Sequence, residues 1–233
     1  RADHTLKSVV LGRHVDIKNH FDYHNDYKQM AFLTSMYIVD KPVVEKTRSE
    51  IEVKMKTMGE YVKMSYLQRA AKSQLDFDTR KFILLELAKV YEQKHMFLDA
   101  ARTIKAAAEI TTTFREKMLQ FMKSVELNVR GNDFAEAERI FAQALTLGND
   151  REKWEMKQQF KQFHFAQAQE YFKQNRRSNA KALYQKMLSM ELNPQEKITV
   201  QNQLLELYLK LGNTREYHSL KDKMAGGMGL LPP

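Results

Sequence analysis

Residues 132–145 read NDFAEAERIFAQAL, and this stretch contains the pattern that decides the fold. A turn at Asn132 is followed by Phe134, and small or aromatic residues come three, seven and ten positions after that phenylalanine. This spacing places their side chains on one face of a helix. Because small residues let two helices approach closely, the stretch is typical of the second helix of a helical hairpin.

The same pattern recurs along the chain at a nearly constant interval. Its equivalent positions, Ala100, Ala137, Ala180 and Tyr217, are 37, 43 and 37 residues apart. The segment before each turn also carries apolar residues at helical spacing. These first-helix residues are Leu84, Leu87, Ala88, Tyr91, Ala168, Tyr171, Leu204, Leu205 and Tyr208. A two-helix unit that repeats in this way predicts an all-α protein with about four stacked hairpins.

Through these residues the chain resembles the tetratricopeptide repeat (TPR) family over roughly residues 81–224, and its longer helices resemble those of the SNAP-type and proteasome-lid-type relatives. The family pattern has a small residue and an aromatic in the first helix, a turn with glycine and an aromatic, and then Ala, aromatic, Ala. The resemblance implies a right-handed α-solenoid. It also implies a non-enzymatic adaptor or scaffold that binds a partner peptide or helix on its concave face.

The resemblance further implies which residues line that face, because the family builds its concave wall from the first helix of each hairpin. Phe165 and Phe172 are expected to be exposed anchors, with polar neighbours that bind a peptide backbone or carboxylates. By register, the partner-binding residues are Lys89, Gln93, Met122, Arg130, Phe165, Gln169, Phe172, Lys173, Asn202 and Lys210. The alternative is that an additional helix, such as the chain's own C-terminal segment, covers this face.

Four segments are expected along the chain. Residues 1–41 read as a polar leader followed by a short helix. Residues 42–76 carry apolar side chains three and four positions apart, which predicts one long amphipathic helix that packs on the solenoid. Residues 77–225 contain the TPR-like hairpins, and residues 226–233, GGMGLLPP, are expected to be a flexible tail.

The positive charge is concentrated in one part of the chain. The protein has 38 Lys and Arg against 29 Asp and Glu, a formal net charge of +9. Residues 156–190 contain seven basic residues and one acid, interleaved with aromatic residues. In a nucleic-acid site, basic side chains bind the phosphate backbone and aromatic rings stack on the bases. The alternative function is therefore that of an RNA- or ribonucleoprotein-associated protein. The expected basic patch consists of Lys157, Lys161, Arg176, Arg177, Lys181 and Lys186. Solvated helix faces would explain the same charges.

Catalysis and cofactors are not expected from this sequence. The chain has no cysteine, which excludes disulfides, cysteine-ligated zinc and thiolate nucleophiles. It also lacks Gly-x-Ser-x-Gly and Gly-x-Gly-x-x-Gly motifs. No metal is expected either, although His20 and His24 are four residues apart and could present two imidazoles to a divalent ion from one helix face. A solvated polar leader is the alternative explanation of these histidines.

The sequence predicts a soluble, cytoplasmic protein with no membrane insertion. Its most apolar stretch, residues 30–39, has ten residues, whereas a spanning helix needs about 20. The absence of cysteine fits a reducing compartment. The oligomeric state is left open, because a terminal hairpin can be covered internally or by a second copy of the chain.

Overall fold

The computed structural model describes residues 43–228, and the regular structure in this range is entirely α-helical. The predicted all-α class is therefore confirmed. The ten helices of the described range are α1 (Arg48–Lys56), α2 (Glu60–Ala70), α3 (Phe77–Gln93), α4 (Phe97–Ile110), α5 (Phe114–Arg130), α6 (Phe134–Leu145), α7 (Asp150–Lys173), α8 (Arg177–Met187), α9 (Pro194–Lys210) and α10 (Thr214–Met228).

The single long helix predicted for residues 42–76 is wrong, because the structure has two helices there. Helix α1 ends at Lys56, and the hydroxyl of its C-cap residue Thr57 donates to the carbonyl oxygen of Lys54 over 2.9 Å. Gly59 then takes an extended conformation, with φ −66° and ψ 157°, and becomes the N-cap of α2. Glycine is unfavourable inside a helix and acceptable at its start, so the helical spacing continues across a break in the backbone.

The chain divides into two compact units, one ending at Ile110 and the other beginning at Thr111. In the first unit α2 packs on α3, and α3 packs on α4. In the second unit each helix from α5 to α10 packs on the next, and α7 also packs on α5. From α2 to α4 and from α5 to α10, neighbours in sequence are therefore neighbours in space, as in helical repeats.

Four turns with the same backbone geometry join the two helices of the pairs α3–α4, α5–α6, α7–α8 and α9–α10. Each turn contains one residue with φ between 57° and 68°; these residues are His95, Asn132, Asn175 and Gly212. The next residue donates its N–H, over 2.8 to 2.9 Å, to a carbonyl five positions back, on Tyr91, Asn128, Tyr171 and Tyr208 respectively. This is the Schellman ending of a helix. The hairpin repeat is thus visible in the backbone as well as in the side chains.

The Gly212 turn gives a stability prediction. A Cβ added at Gly212 would meet no atom within 4 Å, so the cost of a substitution comes from its φ of +68° alone. We expect Gly212→Ala to lower the free energy of unfolding by about 1 kcal/mol. Gly212→Asn is the matched control, because asparagine tolerates this conformation and already occupies two of the equivalent turns. Urea denaturation of both variants measures the difference, and equal losses would contradict the conformational explanation.

Candidate functional site

The polar residues predicted for the concave face are mostly exposed. Lys89 and Gln93 are exposed on α3, in the first unit, and Gln169, Lys173, Asn202 and Lys210 are exposed on α7 and α9, in the second. Several are held by neighbours on their own helix. Lys89 pairs with Glu86, Lys210 with Glu206, and the half-buried Arg130 with Glu126.

The three apolar residues predicted for that face are not available as exposed anchors. Met122 is only 4% exposed. Phe165 packs edge-on against Tyr184, and Phe172 lies under the ammonium of Lys210, which is 4.5 Å from the ring centroid. Both phenylalanines are half-buried against the core of the second unit. The prediction of exposed anchors at these positions is wrong, because α7 turns this face toward its neighbouring helices.

Three of the six residues of the predicted basic patch are paired with carboxylates. Lys157 pairs with Glu191 at 3.0 Å and Lys186 pairs with Glu138 at 2.7 Å. Lys161 is only 7% exposed and pairs with Glu196 at 2.7 Å. Burial raises the pKa of Glu196, but the hydrogen bonds from Lys161 and from its own helix start outweigh this and hold the pKa below its ordinary value.

The remaining cations of the patch lie near the turn between α7 and α8. Arg176 stacks on the ring of Tyr171, with 4.6 Å between the guanidinium carbon and the ring centroid. Within residues 43–228, Arg177 and Lys181 have no carboxylate partner. Near this turn Tyr171 is buried and Phe172 is covered by Lys210, so neither ring has a free face for base stacking.

Two grooves on the second unit expose apolar surface that register alone did not reveal. The first, the α5–α7 groove, has a volume of about 390 Å³ and lies between the first helices of two successive hairpins. Leu119 stands at its edge with 62% of its surface exposed. Its lining residues are Arg115, Met118, Leu119, Met122, Asn149, Arg151, Glu152, Glu155, Met156 and Gln159.

Local sequence explains how the floor of the α5–α7 groove is built. Asn149 starts α7 with a capping box, in which its side chain accepts the N–H of Glu152 and the Glu152 carboxylate accepts the N–H of Asn149. The preceding residue, Gly148, lies against two methionines: a Cβ there would come within 2.9 Å of Met156 Cε and 3.3 Å of Met118 Sδ. A side chain at position 148 would require the ends of the Met156 and Met118 side chains to move aside, whereas glycine lets the loop pack on the floor as it stands.

The second groove, the Trp154 groove, has a volume of about 570 Å³. The rings of Phe141 and Phe160 stack in its floor, with centroids 4.2 Å apart and planes 6° from parallel. Trp154, the one tryptophan of the chain, is 62% exposed beside them. The lining residues are Phe141, Asp150, Lys153, Trp154, Lys157, Gln158, Phe160, Lys161, Met190 and Glu191.

Leu119 and Trp154 were not predicted as site residues, although each stands in a sequence context that indicates an exposed apolar residue. Leu119 follows Met118 and precedes Phe121 and Met122, so α5 carries an apolar arc wider than one buried stripe requires. Trp154 lies among charged residues near the start of α7 and is not part of the apolar stripe that this helix buries, so packing in the core does not explain it. A large apolar side chain outside the buried stripe indicates a binding surface.

The core of the second unit contains a titratable group, His164, which is fully buried beside Phe134 and Phe160. Its Nδ1 donates to the carbonyl oxygen of Phe160 over 2.9 Å, and its Nε2 has no hydrogen-bond partner among residues 43–228. Burial lowers the pKa of His164, since the charged imidazolium would lose its hydration, and the nearby Lys186 acts in the same direction. His164 is therefore neutral in the folded protein at neutral pH.

His164 predicts a pH dependence of stability. In the unfolded chain a histidine takes up a proton near pH 6.5, whereas the folded chain resists protonation until a lower pH. Stability is therefore complete above about pH 6.5 and falls as the pH drops from there through the folded-state pKa. In His164→Leu we expect a smaller loss of Tm between pH 7.5 and pH 5, measured by circular dichroism. An unchanged loss would assign the effect to other groups.

Comparisons with protein-family models, curated proteins and solved structures gave no significant match to this chain. Among residues 43–228, no helix is both long and apolar enough to cross a membrane. In the same range, no group of three or more His, Asp or Glu side chains is arranged to hold a metal ion. The candidate metal ligands His20 and His24, the leader and the last residues of the tail lie outside the described residues.

Proposed function

We propose that this protein is a non-enzymatic protein-binding module, an adaptor or scaffold of the TPR-like type, that holds a helix or peptide of a partner protein. The α5–α7 groove is its binding site. The single observation that carries the proposal is the exposure of Leu119 beside a floor made from Met118, Met122 and Met156.

The chemistry of the α5–α7 groove suits an amphipathic helix. Methionine side chains are flexible and polarisable, so a floor of three methionines adapts to different apolar side chains. The charged residues Arg115, Arg151, Glu152 and Glu155 surround this floor and include both signs. A helix with one apolar face and mixed charges at its edges satisfies both features.

The pairing of the basic residues favours a protein partner over a nucleic acid. Lys161 is buried in its pair with Glu196, and Glu191 and Glu138 place negative charge within 3.0 Å of Lys157 and Lys186, where it repels a continuous phosphate backbone. Nucleic-acid binding stays the alternative through Arg176, Arg177, Lys181 and the neighbouring Lys173.

The proposal is tested by affinity capture from a native lysate on the immobilised chain, with and without nuclease treatment. A protein partner held by the α5–α7 groove is retained after nuclease treatment and lost when Leu119 is replaced by glutamate. Loss of all bound proteins on nuclease treatment would instead support the nucleic-acid alternative.

A further inference from the structure

The Trp154 groove uses a different face of α7 from the α5–α7 groove. Residues 153, 154, 157, 158 and 161 line the Trp154 groove, whereas residues 151, 152, 155, 156 and 159 line the other. A ligand of the Trp154 groove is thus independent of the proposed function, which would stand if this inference failed.

The apolar part of the Trp154 groove is suited to one large side chain. The stacked rings of Phe141 and Phe160 form a flat floor, Met190 lies at the edge, and Trp154 leaves most of its surface in water. Exposed tryptophans contribute strongly to binding when a partner covers them. The volume of about 570 Å³ lies within the range of ligand pockets.

A row of lysines runs along the same groove. Lys153, Lys157 and Lys161 are spaced four residues apart on α7, so they follow one another along one side of the helix. Lys161 is buried and fixed by two contacts, of 2.7 and 2.9 Å, to the Glu196 carboxylate. The other two lysines are closer to the solvent and are held less firmly.

The carboxylates that hold Lys153 and Lys157 can be exchanged for others. Lys157 Nζ lies 3.0 Å from a Glu191 oxygen, and the Glu191 side chain is 86% exposed. Lys153 Nζ lies 3.9 Å from a fully exposed Asp150 oxygen. Exposed pairs of this kind add little to the stability of the folded chain, so a partner's carboxylate can replace them. Glu191 thus occupies the position that a ligand carboxylate would take.

We propose that the Trp154 groove binds an acidic helical peptide with one large apolar side chain. The apolar side chain packs between Trp154 and Met190, and two carboxylates four residues apart on the peptide pair with Lys153 and Lys157. Glu191 releases Lys157 when the peptide binds.

The carboxylates at the edge of the groove favour a peptide over a nucleic acid. A peptide can place its carboxylates beside the lysines and neutral or basic side chains beside Asp150 and Glu191. A phosphate backbone carries a charge at every nucleotide and cannot avoid these two acids. The aromatic floor is therefore matched to a side chain rather than to a stacked base.

Trp154 makes the proposal directly measurable, because the chain has no other tryptophan. The probe is an alanine-rich peptide of about 15 residues, a length at which helices begin to be stable in water. It carries one leucine flanked by pairs of glutamates spaced four residues apart. Titrated into the full chain, it should shift the Trp154 emission to the blue and saturate. The same peptide with glutamine in place of each glutamate should bind at least about threefold more weakly.

Two variants with opposite expected effects test the role of the exchangeable pair. Glu191→Gln releases Lys157 and should tighten binding of the acidic peptide about threefold, whereas Lys157→Gln should weaken it about threefold to fivefold. Lys181→Gln, an exchange outside the groove, is the matched control and should change nothing. Circular dichroism confirms that each variant is folded.

Several results would overturn the proposal. These are a missing or non-saturating response to the acidic peptide, equal binding of the glutamate and glutamine peptides, and weaker binding by Glu191→Gln. A saturable shift with single-stranded DNA of the same affinity would assign the groove to nucleic acid instead.

Discussion

Replacing Ala137 with leucine is expected to destabilise the second unit by about 1–3 kcal/mol, because the new side chain has no space between α5 and α6. Ala137 is fully buried and lies five residues after the left-handed turn residue Asn132. The equivalent alanines of two other hairpins, Ala100 and Ala180, are fully buried as well. An alanine at this position lets the two helices of a hairpin touch.

A second leucine on the same helix provides the control for Ala137→Leu. Ala142 is exposed on α6, so Ala142→Leu adds the same atoms without crowding a helix contact and should change stability by less than about 0.5 kcal/mol. Urea denaturation followed by circular dichroism compares the two variants. If both lose equally, close approach of the helices is not the reason for the alanine.

Sequence reasoning located the hairpins because their requirements are local. Each hairpin needs a residue that tolerates the left-handed turn, followed five positions later by a small residue that lets the helices touch. These residues and the Schellman hydrogen bond lie within one short segment, so the pattern can be recognised in the sequence. The fourth hairpin shows how far the pattern tolerates change: Tyr217 takes the place of alanine and is half-buried on α10.

The break between α1 and α2 and the exposure of the site residues could not be predicted in the same way. The apolar spacing over residues 42–76 continues through Gly59, so only the backbone conformation reveals two helices. Exposure depends on which other elements cover a helix face. Phe165 and Phe172 lie at the predicted register on α7, but the core of the second unit and Lys210 cover them.

The charge of the basic span, residues 156–190, could not be predicted for the same reason. The residues 156–190 contain only one acid, and this made the span look strongly cationic. The acids that neutralise it, Glu138, Glu191 and Glu196, come from outside the span and reach it only in the folded chain. A count of charges along a segment therefore overstates the charge that a partner meets.

The proposed function predicts that Leu119→Glu abolishes retention of a protein partner without affecting the fold. Leu119 is 62% exposed, so its loss removes little buried surface. Stability should stay within about 0.5 kcal/mol of the unmodified chain. A central apolar contact of an interface contributes about 2 kcal/mol or more, so the affinity should fall at least about thirtyfold.

Leu209→Glu is the control that distinguishes loss of a specific contact from loss of non-specific hydrophobic association. Leu209 is 59% exposed on α9, so the exchange removes a leucine of nearly the same exposure, but it does not line the α5–α7 groove. Capture on the two variants is compared by mass spectrometry, and binding of the partner identified in this way is then measured by calorimetry. Retention by Leu209→Glu together with loss by Leu119→Glu locates the partner in the α5–α7 groove. Equal retention by both variants would remove this groove from the binding surface, because glutamate at position 119 cannot be buried against Met118 and Met156 without a large desolvation cost.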